Sequence, residues 1–266
     1  MTIIQSLLFF AVSFLASIVG AICGIGGGVI IKPVLDLFGW ASVSTISFLS
    51  GCTVLAMSLY SVGRSMAAGE RAVDLRTGTP LAMGAAVGGV LGKQLFTAVR
   101  AASPDPDMVG GVQAVCLALV TLMTLAYTMK KARIKTKRID STALCLAIGM
   151  VLGVMSSFLG IGGGPINLVV LFYFFSMDTK TAAANSLYII LFSQITNLLT
   201  TLATHTVPPF AVHTLVLMVL GGIGGGMAGR RINKRLDNGA VDKLFMGLMG
   251  VIIAVSVYNA WRYLRG

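Results

Sequence analysis

The sequence predicts an all-α integral membrane protein of about ten transmembrane helices, arranged as two inverted five-helix repeats with short Gly-interrupted helices. Three observations carry this expectation. Of the 266 residues, 56% are hydrophobic and 11% charged, with a mean hydropathy of +0.90; soluble domains run at roughly 25% charged. A soluble enzyme or nucleic-acid module of this size could not cover its surface with so few charges. Ten apolar stretches at about 20 residues each leave about 66 residues for loops, so function must sit among the helices. Finally, the pentapeptide Gly-Ile-Gly-Gly-Gly at Gly24–Gly28 recurs at Gly160–Gly164, an offset of 136 residues.

Along the chain, the stretch 3–22 lacks the basic flank and cleavage site of a signal peptide and reads as a retained helix. The next, 28–38, follows the first Gly run and is too short to span. At 1.5 Å per residue, it and its counterpart 164–177 rise only about 16–21 Å against about 30 Å of hydrocarbon. The stretches 43–63, 77–98 and 108–129 complete a first half, 1–129. A basic linker, 130–140, follows, with six Lys or Arg between 130 and 138 and no acid in that run. The second half, 141–266, holds stretches 141–159, 164–177, 181–203, 209–229 and 241–261. At the repeat offset Thr45 falls on Thr181 and Ser50 on Ser186. With a one-residue gap, Gly88-Gly89-x-x-Gly92-Lys93 falls on Gly225-Gly226-x-x-Gly229-Arg230.

The net charge is +11. In a membrane chain this reads as positive-inside bias rather than as a nucleic-acid footprint. With the linker cytoplasmic and ten passes, inside segments hold 15 of the 20 Lys and Arg and outside segments four; Lys32 lies within a pass. Both termini are then outside. Five passes per half turn the second half upside down, the plan in which short, Gly-interrupted segments mark a midplane binding site.

Three successive glycines cost about 1 kcal/mol each relative to Ala in a helix and should unwind the chain. Unwound backbone at membrane depth persists where protein buries it or a wet cavity takes it. The N–H groups of Gly26, Gly27 and Gly28, and of Gly162, Gly163 and Gly164, would then start two opposed short helices, whose N-termini attract anions. Gly20, Gly84, Gly88, Gly92, Gly149 and Gly153 read instead as close helix packing. Lys32 is a candidate to neutralise an anion, or else snorkels to an interface. Asp36, four residues on, would pair with it and is a coupling-proton candidate. Pro33 loosens this short helix, and Pro165 stands where a helix start tolerates proline. Asn167, Asn185, Ser186, Gln194 and Asn197 either coordinate a polar solute or tie helices together. Ser50 and Ser186 are the stronger candidates, being repeat equivalents.

Other chemistry lacks its parts. Cys23, Cys52, Cys116 and Cys145 form no CxxC pattern, and His205 and His213 have no ligand cluster beside them, so no metal or other cofactor is expected. No HExxH, GxSxG or GxxxxGK[ST] occurs, and no enzymatic activity is expected.

The runs Gly24-Ile25-Gly26-Gly27-Gly28-Val29-Ile30-Ile31-Lys32-Pro33 and Gly160-Ile161-Gly162-Gly163-Gly164-Pro165-Ile166-Asn167 resemble the paired signatures of the TauE/SafE sulfite exporter-like family, over nearly the whole chain. The second run departs from the pattern: Val169 stands at the position of Pro33, and proline comes early as Pro165. The resemblance implies a prokaryotic inner-membrane transporter, often an exporter, of sulfite, organosulfonates or related sulfur anions. The expected function is secondary transport of such an anion by alternating access; a passive anion channel, carriage of another small solute or a chaperone role are the rivals. The expected partners are the small anion and the lipid bilayer, with no nucleic acid, and a homodimer is the one self-assembly kept open.

Overall fold

The computed structural model describes residues 3–70, 73–103, 106–161 and 163–265. They form ten α-helices and no strand: α1 (Ile3–Cys23), α2 (Gly28–Phe38), α3 (Val43–Ala67), α4 (Leu75–Ala102), α5 (Pro106–Lys130), α6 (Thr142–Leu159), α7 (Pro165–Phe175), α8 (Thr179–Ala203), α9 (Val212–Arg235) and α10 (Asn238–Arg265). The linker between α5 and α6 opens with a 3-10 turn, Lys131–Arg133. Local signals set the ends. Ser42 accepts from the amide of Thr45 to cap α3, Asp178 caps α8 through the amides of Lys180 and Thr181, and α2 and α6 stop at the left-handed glycines Gly39 (φ 63°) and Gly160 (φ 66°).

Among the described residues eight helices are long and apolar enough to cross a membrane. The other two, α2 and α7, are the short Gly-interrupted helices that the sequence predicts at 28–38 and 164–177. α2 and α7 have 11 residues each, a rise of about 16 Å. Their brevity follows from the glycine runs before them and the left-handed residues Gly39 and Ser176 after them.

Glycine stripes bring the long helices together. On α4, a Cβ at Gly84, Gly88 or Gly92 would strike the backbone of Leu146, Met150 or Val154 of α6. On α9, one at Gly221, Gly225 or Gly229 would strike Phe10, Phe14 or Ile18 of α1. These two sets are related residue for residue by the repeat, and rising numbers on both members make each pair parallel. Small residues let backbones approach closely where lipid supplies no hydrophobic drive between helices. The duplication extends through the bundle: α3 packs on α9 as α8 packs on α4, α2 on α3 as α7 on α8, and α2 on α10 as α7 on α5. Two pairings join equivalent elements, α3 with α8 and α5 with α10.

α3 runs parallel to α9, since Gly222 and Gly226 abut Thr53 and Met57 in order, and α1 does likewise. α2 starts beside Val54 and Ser50, part-way along α3, and ends at Gly39, next to the start of α3. It therefore folds back beside α1 as a re-entrant half-helix.

Candidate functional site

The two glycine runs meet each other. A Cβ on Gly28 would lie 2.7 Å from the carbonyl oxygen of Ile161, and one on Gly164 would lie 2.8 Å from Val29 Cγ2. The N-terminal ends of α2 and α7 thus stand together. Around them, Gly26 faces Val54 of α3 and Ile190 of α8, and Gly163 (φ 119°) faces Ile190. Val54 and Ile190 are repeat equivalents. Gly24 (φ 74°) lies against the backbone of Ala183. At Gly24, Gly28, Gly163 and Gly164 the approach leaves no room for a side chain, and at Gly26 the left-handed backbone (φ 69°) disfavours one, which explains glycine better than helix breaking alone does.

Two cavities flank this crossing. The larger, of about 720 Å³, reaches Ser50, Gly51, Val54 and Ile161 at its base. Its wall carries Lys93, Gln194 and Asn197, and its rim Gly39, Thr206 and Arg262. The smaller, of about 330 Å³, is lined by Ser61, Ser65, Ala183, Leu187, Arg230 and Glu70, among others. Along α3 the larger cavity takes Val43–Val54 and the smaller Ser61–Ser65; along α8 the order is reversed. The cavities therefore open toward opposite ends of the bundle. They are also copies of each other: Ser61, Ser65, Glu70, Ala183 and Arg230 fall at the repeat offset on Asn197, Thr201, Thr206, Ser47 and Lys93 of the larger cavity.

Of the residues singled out from sequence, Ser50, Gln194 and Asp36 line the larger cavity, together with Asn197. Gly26, Gly27, Gly28, Gly163, Gly164 and Pro165 form the crossing behind it; Gly162 lies outside the described residues. Ser186 and Asn167 are buried close to the crossing, and Ser186 Oγ and Asn167 Oδ1 have no hydrogen-bond partner among the described residues. Asn185 is a tie between elements: its Oδ1 accepts from the amide of Asp74 at 3.1 Å and its Nδ2 donates to the carbonyl of Thr181 at 2.9 Å.

Lys32 and Pro33 are not cavity residues. They border a space of only about 20 Å³, and Lys32 is 5% exposed, so it does not snorkel. Its ammonium donates to Gln113 Oε1 of α5 at 2.8 Å and to the carbonyl of Leu159 at 3.1 Å. Gln113 Nε2 donates in turn to the carbonyl of Phe158 at 2.6 Å. The pair satisfies carbonyls at the C-terminus of α6, where a cation also suits the helix dipole. The expected Lys32–Asp36 ion pair is not formed. Asp36 Oδ1 is buried without a hydrogen-bond partner among the described residues, while Arg262 Nη1 donates to the carbonyls of Asp36 and Leu37.

Sequence reasoning missed Lys93. Its ammonium donates to Thr201 Oγ1 of α8 on the wall of the larger cavity. The repeated Gly-Gly-x-x-Gly-Lys/Arg signature held the signal, since it pairs Lys93 with Arg230, and both stand at cavities. In the smaller cavity Arg230 Nη2 meets Glu70 Oε2 at 2.7 Å, and Lys234 Nζ meets Glu70 Oε1 at 2.8 Å. Glu70 also accepts from Ser65 Oγ at 3.1 Å. Hydrogen bonds from Lys234, and then from Arg230 and Ser65, hold its carboxyl down at about 2 against burial that opposes them. The sign follows: stabilisation by this group is complete above the ordinary carboxyl range and is lost as pH falls through about 2. The melting-temperature gap between wild type and Glu70→Gln should thus stay constant from pH 8 to 5 and close only in strong acid.

Among the described residues no cluster of His, Cys, Asp or Glu suits a metal ion. The sequence is similar to that of known proteins. The family model described as Sulfite exporter TauE/SafE matches residues 9–257. A probable membrane transporter protein, YunE of Bacillus subtilis (strain 168), is 23% identical over 263 residues, covering 92% of this chain and 94% of that protein. No solved structure matches the chain. With eight membrane-length helices, two half-helices and a family match running from α1 into α10, this chain belongs to the sulfite exporter TauE/SafE family and is a multi-pass membrane transporter.

Proposed function

We propose that the protein is a secondary transporter, working as an exporter in a prokaryotic inner membrane, that moves a small anion, sulfite or an organosulfonate, by alternating access. The observation that carries this reading is the larger cavity. It bears Lys93 on its wall and Arg262 at its rim, against the single acid Asp36 among its described lining residues. Hydroxyl and amide groups of Ser47, Ser50 and Gln194 add donors nearby. Such a lining favours an anion of a few oxygens over a cation. The adjoining N-termini of α2 and α7 add partial positive charge at the base.

Repeat-equivalent cavities at opposite ends support inverted repeats, with the larger one the substrate route in one conformation and the smaller one in the other. The excess of Lys and Arg at the smaller-cavity end and in the linker supports a cytoplasmic placement for that end, with both termini outside. Asp36, on the cavity wall with its Oδ1 buried and without a hydrogen-bond partner among the described residues, is the proposed coupling-proton carrier. Val54 and Ile190, which pack against Gly26 at the crossing between the two cavities, are the proposed closure of the route, which favours a carrier over an open channel.

Thermal unfolding of the purified protein across sulfite, sulfate, thiosulfate, taurine, sulfoacetate and chloride tests the substrate class. A ligand at a hundred times its Kd stabilises the folded state by about 2.7 kcal/mol. A rise in Tm with one sulfur anion, and counterflow of it in liposomes, is the expected result. No rise with any of them would overturn the anion reading.

A further inference from the structure

The smaller cavity raises a question that the larger one answers. Lys93 and Arg230 are repeat equivalents, each reaching into a vestibule, and each vestibule has a hydroxyl at the equivalent place, Thr201 or Ser65. They differ at several other positions, among them Lys234, which falls on Thr97, and the one position that brings an acid. Where the larger cavity has Thr206, the smaller has Glu70. Its carboxylate bridges Arg230 and Lys234 on α9 from the segment joining α3 to α4, and accepts from Ser65 as well. The vestibule with the carboxylate is less than half the volume of the one without it.

A carboxylate and a small sulfur or carbon oxyanion present the same acceptor geometry to a guanidinium. We infer that Arg230 and Lys234 form the inner counterpart of the outer cation site at Lys93, and that the carboxylate of Glu70 fills it as a tethered stand-in for the transported oxyanion, latching the inner vestibule shut. The inference rests on the transport reading above. An oxyanion arriving at Arg230 releases Glu70, and with it the strap between α3 and α9. Departure of the oxyanion lets Glu70 return. The latch exists at one end only, because the equivalent outer position, Thr206, carries no charge.

The test uses the full chain in lipid nanodiscs, where both ends meet solvent. Two single-cysteine proteins report the two vestibules. One retains Cys52, which lines the larger cavity, and the other carries Ala184→Cys, at a residue lining the smaller; the other native cysteines are replaced by Ser. In Glu70→Gln, a water-soluble thiol reagent should label the cysteine at 184 about fivefold faster, the factor for losing its two partly exposed ion pairs together, and Cys52 correspondingly slower. Inorganic sulfate should refill the vacated place and slow labelling at 184 again. Unchanged rates, or faster labelling at both positions, would overturn the latch, and an absence of any sulfate effect would overturn the stand-in. Lys234→Gln should move both rates the same way by a smaller factor, which keeps the test usable if Glu70→Gln folds poorly. The reciprocal labelling change needs no anion, so its absence leaves the thermal response to anions standing, and a missing thermal response leaves the latch standing.

Discussion

Gly163→Leu should abolish transport while the chain still inserts into the membrane. Gly163 has φ 119°, and a Cβ there would already lie 2.9 Å from Ile190 Cδ1. A leucine meets two penalties at once: about 1–2 kcal/mol for the left-handed backbone and about 1–3 kcal/mol for overpacking. The eight long helices that direct insertion are untouched. What fails is the approach of the two half-helices, because Ile190 must leave the place where it packs against Gly26 and Gly163. Gly27→Leu should act similarly but less severely, since Gly27 has helical φ (−65°) and its nearest neighbours, Ser17 Oγ and Ile31 Cδ1, lie at 3.1 and 3.3 Å. Flux in proteoliposomes, set beside membrane yield and monodispersity of each variant, checks this. Normal flux in Gly163→Leu would mean that the crossing is packing and not part of the route.

The glycine crossing was readable because the repeat marks it. Three glycines alone do not unwind a helix, since the same pentapeptide runs unbroken through α9 at 222–226, but a run that recurs at one offset before a short apolar stretch announces a duplicated bend. The same holds for the half-helices, whose length is printed between a glycine run and a terminator. The Gly84, Gly88 and Gly92 stripe was readable as packing for the same reason, although its partners on α6 were not. Residue roles around the cavities were a different matter, because they depend on which face of a long helix meets which neighbour. Lys93 stood only as part of a repeated signature until α8 brought Thr201 to it. Lys32 drew attention as a cation in an apolar run, yet its surroundings are set by Gln113 and Leu159, 81 and 127 residues away. Glu70 sits in a short connecting segment whose sequence says nothing of a partner 160 residues on. The repeat was the one long-range signal in the sequence. Carried further, it would have aligned Lys93 with Arg230 as a pair of site residues rather than as a mere mark of duplication.

The two lysines should separate cleanly in a single experiment. Lys93→Gln keeps length and hydrogen-bonding capacity but removes the charge from the wall of the larger cavity. A hydrogen bond to a charged group contributes about 1.5–3 kcal/mol, so anion affinity should fall by roughly 10- to 150-fold while stability without anion stays close to wild type, because Lys93 is half-exposed and its one described partner, Thr201, also bonds the carbonyl of Asn197. Lys32→Met should do the reverse. Methionine fills the buried volume but leaves Gln113 Oε1 and the carbonyl of Leu159 without their donor, a loss of about 1–3 kcal/mol in stability. The α6 terminus loosens, but the cavity wall keeps its cations, so the Tm rise on adding anion should persist from a lower baseline. Measuring Tm with and without the stabilising anion in both variants tests the assignment in one plate. If Lys32→Met loses the anion response and Lys93→Gln keeps it, the substrate meets α2 rather than α4, and the binding position moves from the cavity wall into the crossing itself.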